Sequence, residues 1–291
     1  MSNINPNTYL KDIVLPGTHD SLANSNANIY NTEEILAKKL YKFKWIPGII
    51  HKVTRWSKCQ SNDVIEQLLR GIRFFDFRIS YTNQDKKCYG VHTFMFREIS
   101  DTLDKLDNWL LNHPKEIIII KYRSDSPICD NLFRRKLEKW LLLTKYDPFK
   151  MKLNDIYKLN TRLILTTDIK LKDNIFNNII HTDIIHHDWK NTFSAEEKEN
   201  YSIKSLENWN TEESKLFNLD WTVTPQTIDI IINNSNLISH ATKMNNNLDN
   251  FLKKLDPKLK TKIRIISVDN EKSIDLIKVI VKHNLNKLYI I

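Results

Sequence analysis

Glycine is nearly missing from this chain, with four in 291 residues, and cysteine is scarcer still at three. So little glycine leaves no G-x-G-x-x-G turn, which argues against a doubly wound dinucleotide-binding sheet. Cys59, Cys88 and Cys129 are too few and too scattered for a disulfide framework or a zinc site. They read as reduced thiols, which favours a reducing compartment. No run of about 18 apolar residues occurs, so no transmembrane helix is expected. The first seven residues are polar and lack the apolar centre of a secretory signal, and a cytoplasmic location is the expectation. Repeats, low-complexity linkers and proline-rich hinges are absent, so residues 1–291 read as one domain. Negative charge is also short: 35 Asp+Glu face 44 Lys+Arg, a net +9. That balance favours anionic partners such as a membrane surface or a phosphorylated substrate. No DNA- or RNA-binding signature accompanies it, so nucleic acid is not expected.

Apolar residues, at 41%, are enough for a globular core. They fall in eight short β-type runs: 13–15, 72–79, 89–94, 117–122, 163–166, 179–185, 216–223 and 263–268. Between them, 99–111 spaces Ile99, Leu103, Leu106 and Leu110 at helical period, and 131–143 and 272–283 do the same. A shorter helix, 64–69, stops at Gly71. Strand–helix alternation implies parallel strands with helical crossovers, and eight strands fit a distorted (β/α)8 barrel better than an open sheet.

In such a barrel, function sits at the carboxyl ends of the strands. The first run ends at Pro16-Gly17 and presents His19 and Asp20. Alternation along the second places Phe74, Asp76 and Arg78 on one face and Phe75, Phe77 and Ile79 on the other. His92 lies on the third run, Lys121 and Arg123 on the fourth, Asp168 after the fifth and Asp269 after the eighth. Two imidazoles, several carboxylates and a guanidinium on one rim suit phosphodiester cleavage. One imidazole takes a proton from the attacking hydroxyl, the other protonates the leaving oxygen, and the guanidinium stabilises phosphoryl charge.

The segments LPGTHDS, WSKCQSNDVIEQLLRGIRFFDFRIS, VHTF followed by LDNWLLNHPKEIIII, and ISVDN resemble the X-domain of phosphatidylinositol-specific phospholipases C, in its small single-domain form. The resemblance runs in order over residues 10–283 and thins over 170–260. It implies His19 as general base on the inositol 2-hydroxyl, oriented by Asp269. It implies His92 as general acid assisted by Asp20, and Arg78 with Asp76 beside it at the phosphoryl oxygens. Calcium-dependent relatives have an acid where this chain has Arg78, so the expectation is catalysis without metal or other cofactor. The products would be diacylglycerol and a cyclic inositol phosphate, made at a membrane surface by a monomer.

Four departures bear on this. Thr93 follows His92 where the family often has glycine. Asp168 stands where the bacterial type has a sugar-contacting arginine, and Arg123 stands at the position of a head-group lysine, with Lys121 on the same face. The tyrosine that stacks on inositol has no counterpart, which leaves Trp189 or Trp221 to take its place. A metal-dependent glycerophosphodiesterase, and a lipid-binding barrel with weak turnover, are the competing readings. The basic, aromatic stretch 38–56 either dips Trp45, Ile46, Ile49 and Ile50 into a headgroup layer or covers the barrel flank. His186, His187 and Asp188 resemble a metal-binding run but read as loop or surface, because adjacent strand residues point in opposite directions.

Overall fold

The computed structural model describes residues 4–27, 48–169, 176–210, 215–225, 235–283 and 285. The described part of the first half holds β1 (Leu15–Thr18), α1 (Ile49–Ser57), α2 (Val64–Leu69), β2 (Phe74–Thr82), β3 (Lys87–His92), β4 (Phe94–Glu98), α3 (Ser100–Asn112), β5 (Ile118–Ser124) and α4 (Pro127–Leu137). The second half holds α5 (Leu153–Lys158), β6 (Leu163–Thr167), β7 (Ile180–Thr182), β8 (Ile185–His187), α6 (Ala195–Asn208), β9 (Leu216–Trp221), α7 (Leu237–Lys254), α8 (Pro257–Lys260), β10 (Ile263–Val268) and α9 (Leu276–Lys282).

Eight strands form one curled parallel sheet in the order β7-β6-β5-β2-β1-β10-β9-β8. It is a distorted (β/α)8-type barrel. Among the described residues no pairing joins β7 to β8, so the sheet curls without closing there. Side-chain alternation explains how the core divides. Phe75, Phe77, Ile118, Ile120, Leu163, Leu165, Phe217 and Leu219 face the helices, while Phe74, Ile119, Ile164, Leu216 and Ile265 point inward. The amino-terminal segment adds Ile4, Leu10 and Ile13 to that inner cluster and plugs the barrel's lower end. Apolar residues therefore fill the bottom of the barrel, and the polar inward residues are left at the carboxyl ends.

Several expectations need correction. The run at 89–94 is no parallel stave. It becomes β3 and β4, an antiparallel hairpin hung on the far end of β2, with Ile79 opposite Gly90. The run at 179–185 is two short strands, β7 and β8, on the two sides of the gap in the barrel. The first strand does not stop at Pro-Gly but runs through it, because the Pro16 carbonyl still accepts from Arg73 N at 2.9 Å. The helix expected at 131–143 starts earlier, at Pro127 with Ser126 as its cap, and the last segment breaks into a 3-10 turn before α9. Of the lipid-facing candidates, the side chains of Trp45, Ile46, Ile49 and Ile50 lie outside the described residues. No helix among the described residues is long and apolar enough to cross a membrane.

The cysteines are also not all reduced. Cys88 on β3 and Cys129 on α4 form a disulfide, with their Cα atoms 5.7 Å apart, and only Cys59 is free. The pair was hidden because 41 residues separate two cysteines that only the hairpin brings together. The compartment inferred from three free thiols loses that support, since disulfides persist mainly in oxidising surroundings. Replacing both cysteines with serine is expected to destabilise the protein by about 2–4 kcal/mol, as closing a loop of this length predicts. Urea unfolding of the double variant against the oxidised parent measures it.

Candidate active site

His19 leaves β1 with its backbone NH held by the Val268 carbonyl at 3.1 Å. The side chain of buried Gln60 bonds the carbonyls of both His19 and Val268, at 2.7 and 2.9 Å, and so ties β1 to β10 beneath the imidazole. Nδ1 of His19 lies 3.0 Å from Asp269 Oδ1, and a carboxylate can only accept, so Nδ1 carries the hydrogen. Asp269 is fixed in turn by the Val223 NH, 3.1 Å from its Oδ2. The other nitrogen, Nε2, faces Asp20 Oδ2 at 3.2 Å and an Arg78 terminal nitrogen at 3.0 Å. Burial pushes this imidazole toward neutrality, but Asp20 and Asp269 outweigh it and raise the pKa to about 9.

Arg78 stands between two carboxylates. Its Nε is 2.7 Å from Asp20 Oδ1, a close ion pair out of hydrogen-bond alignment, and a terminal nitrogen bonds Asp76 Oδ2 at 2.9 Å. Burial works against the ionised form of Asp76, yet Arg78 and Lys121 hold its pKa well below the usual carboxylate range. The guanidinium thus fills the space between two acids that would otherwise invite a cation.

His92 ends β3. Its Nδ1 is 2.8 Å from the Ser57 carbonyl, one of the carbonyls left unpaired at the end of α1, so Nδ1 donates and Nε2 is free to exchange a proton. Nε2 faces Asp20 Oδ2 at 3.5 Å. The two imidazole rings stand 6.3 Å apart, centre to centre. Gly90 lets the hairpin approach, since a Cβ there would come within 2.5 Å of the Leu22 side chain. Thr93 adopts φ 63°, the left-handed backbone that glycine would take, and sits between the paired His92 and Phe94 in the tight turn. A β-branched residue is strained in that region. Thr93→Gly is therefore expected to raise stability by about 1 kcal/mol, the strain relieved less the greater freedom of the unfolded glycine. A shift of the urea midpoint at unchanged slope checks it.

Farther along the rim, Asp168 clamps both cations of β5. Lys121 Nζ is 2.9 Å from Asp168 Oδ2, and Arg123 Nε is 2.8 Å from Oδ1, with a second Arg123 contact completing a fork. Burial opposes ionisation of Asp168, but Arg123 and Lys121 drive its pKa well down. Seven of the ten predicted site residues, His19, Asp76, Arg78, His92, Lys121, Arg123 and Asp168, line one cleft of about 530 Å³. Asp20 and Asp269 lie buried directly behind it.

Trp221 is the exception. It faces away from the cleft, fully buried, stacked on Phe251 at 4.8 Å with Nε1 bonded to the Met244 carbonyl. Alternation decides this: Phe217, Leu219 and Trp221 point to the helices, so Asn218 and Asp220 point inward. Trp189, 46% exposed, lines the cleft, as does the buried Trp56. The reading of 186–188 as loop or surface also needs correction. His187, on β8, reaches the cleft and lies 3.1 Å from the Asn218 amide nitrogen, while His186 packs outward on Trp209. Asp188 is buried and bonded to the Ser202 hydroxyl at 2.6 Å. Asp220 and His187 were missed although the period-two rule used on β2 finds both. Cys59, beside His92, had no such signal, because it sits in the irregular chain after α1.

No family model matches the chain. It is 32% identical over 130 residues to the human PI-PLC X domain-containing protein 1, covering 42% of this chain and 40% of that one. It is 29% identical over 121 residues to the human PI-PLC X domain-containing protein 2, covering 40% and 39%. The matches thus span about two-fifths of these relatives' length. Among solved structures it resembles the phosphatidylinositol-specific phospholipase C from Listeria monocytogenes, with a TM-score of 0.65 at 17% identity, covering 98% and 97% of the two chains. A phosphatidylinositol-specific phospholipase C from Staphylococcus aureus gives a TM-score of 0.63 at 16% identity, covering 97% and 96%. By sequence over two-fifths of its length this chain is thus similar to the PI-PLC X domain-containing proteins, and over nearly all of it the fold is that of the bacterial phosphatidylinositol-specific phospholipases C.

Proposed function

We propose that the protein cleaves phosphatidylinositol-type phosphodiesters at a membrane surface by metal-independent acid–base catalysis. One observation carries the reading: His19 and His92 flank a single cleft 6.3 Å apart, with Arg78 against His19 and a carboxylate behind each ring. Neutral His19 takes the proton of the inositol 2-hydroxyl at Nε2 while Asp269 holds Nδ1–H. The oxygen so freed attacks phosphorus, and the bond from phosphorus to the glycerol oxygen breaks. His92 gives that oxygen its proton from Nε2, so diacylglycerol leaves and the inositol keeps a cyclic phosphate. Arg78 meets the charge that grows on the non-bridging oxygens. Lys121, Arg123 and Asp168 hold the head group, and Trp189 offers it a face. The chain acts as a single-domain monomer.

Phosphorus NMR of the products formed from phosphatidylinositol vesicles, with EDTA present, tests this. A cyclic inositol phosphate signal that His19→Ala abolishes is the expected result. Cleavage that appears only with added divalent cation would point instead to a metal-dependent phosphodiesterase. Vesicle binding without any product would leave a lipid-binding barrel.

A further inference from the structure

We propose that Cys59, His92 and Asp20 together form an inhibitory site for a thiophilic divalent cation of the zinc class. The Cys59 thiol is fully buried, and its Sγ lies 3.2 Å from His92 Nδ1 and 3.8 Å from Asp20 Oδ2. The same carboxylate oxygen is 3.5 Å from His92 Nε2. One ligand atom can be drawn from each of the three residues with all of them within 4.8 Å of one another. Zinc held at 2.0–2.3 Å sets neighbouring ligands about 3.3–3.8 Å apart, so with His92 Nε2 as the ligand the Cys59 thiol, now against Nδ1, turns toward Nε2 to complete three corners of a tetrahedron. Thiolate, imidazole and carboxylate are the donors that zinc selects over calcium or magnesium.

Two further features suit a cation here. Arg78 engages Asp20 through Oδ1, which leaves Oδ2 turned toward the thiol and both imidazoles. The Nδ1–H of His92 donates to the Ser57 carbonyl, the backbone support that zinc-binding histidines use to offer Nε2. His92 faces the cleft, with Cys59 and Asp20 buried behind it, so a cation would reach the site past His92. As the sulfur–metal bond forms, the thiol proton leaves to water, and the remaining corner is open to water or a phosphate oxygen.

The site shares His92 with the chemistry above, so inhibition rests on that reading, but binding does not. Cobalt serves as the spectroscopic probe. Titrating the 291-residue protein with Co²⁺ is expected to give a thiolate-to-cobalt charge-transfer band at one equivalent, which Zn²⁺ then erases. Saturating Zn²⁺ is expected to suppress phosphatidylinositol cleavage, and EDTA to restore it. In Cys59→Ser the band should vanish and the zinc inhibition constant, taken against that variant's own zinc-free rate, should rise at least about tenfold, the loss that even an outer-shell partner of a metal causes. His92→Ala, at a half-exposed position, should weaken Co²⁺ binding by a similar factor and serves if the serine variant does not fold. Absence of the band from the parent protein, or its persistence in Cys59→Ser, overturns the site. A band alongside full activity at saturating Zn²⁺ overturns its inhibitory role. A band in a protein that cleaves nothing upholds the metal site while sinking the catalytic reading.

Discussion

His19→Ala is expected to lower turnover of phosphatidylinositol by roughly 10²–10⁴-fold, the span that a positioned general base contributes. The substrate's Michaelis constant should change far less, since Lys121, Arg123 and Asp168 remain in place. The pH profile should separate this loss from a packing defect. With the His19 pKa raised to about 9, most of the protein carries a protonated imidazole at neutral pH, and only the neutral form accepts a proton. The parent kcat/KM should therefore climb with pH toward about 9. The residual rate of His19→Ala should lack that rise. Stability runs the other way. A group raised from 6.5 when unfolded to about 9 when folded stabilises the protein fully below 6.5 and loses that contribution as pH rises through 9. Urea midpoints at pH 7 and pH 10 should show the parent losing stability across that window and His19→Ala losing less.

Arg78→Ala should damage both activity and stability. Removing the donor that meets phosphoryl charge is expected to cost about 10²–10³-fold in kcat. It also strands two carboxylates, because Asp20 Oδ1 and Asp76 Oδ2 lie 2.7 and 2.9 Å from the guanidinium and both acids are buried. Breaking a buried pair by deleting one partner costs about 3–5 kcal/mol, an upper bound here because Arg78 is partly open to the cleft. Asp76, held below the usual carboxylate range by Arg78, stabilises the fold above its ordinary pKa of 3.8, and that contribution fades as pH falls. Arg78→Ala should therefore weaken the dependence of stability on acid, seen as urea midpoints converging with the parent at low pH. Arg78→Lys keeps one charge but not the fork that reaches both acids, so it should recover stability better than turnover.

Which parts of this site are legible in the residues follows from how local each feature is. On β2 the alternation of Phe74, Asp76 and Arg78 against Phe75, Phe77 and Ile79 is a property of any extended chain, and it holds. The α2 helix is fixed by a local reciprocal cap between Asp63 and Glu66, and Gly71, at φ 91°, turns the chain out of it. Trp221 was misplaced only because the alternation was not carried onto β9, where Asp220 on the same strand takes the inward place.

The sequence by itself determined most of the strands and helices, the inward parity of Asp76 and Arg78 on β2 and the set of groups available for phosphodiester chemistry. Each depends on neighbours a few positions apart. Only the tertiary structure decided that β3 and β4 fold back as a hairpin, that Cys88 meets Cys129, and that the Ser57 carbonyl and the Cys59 thiol stand against His92. The hairpin is a local turn, but the contacts of Cys88, Ser57 and Cys59 join segments tens of residues apart, and backbone geometry and burial over the whole barrel bring them together.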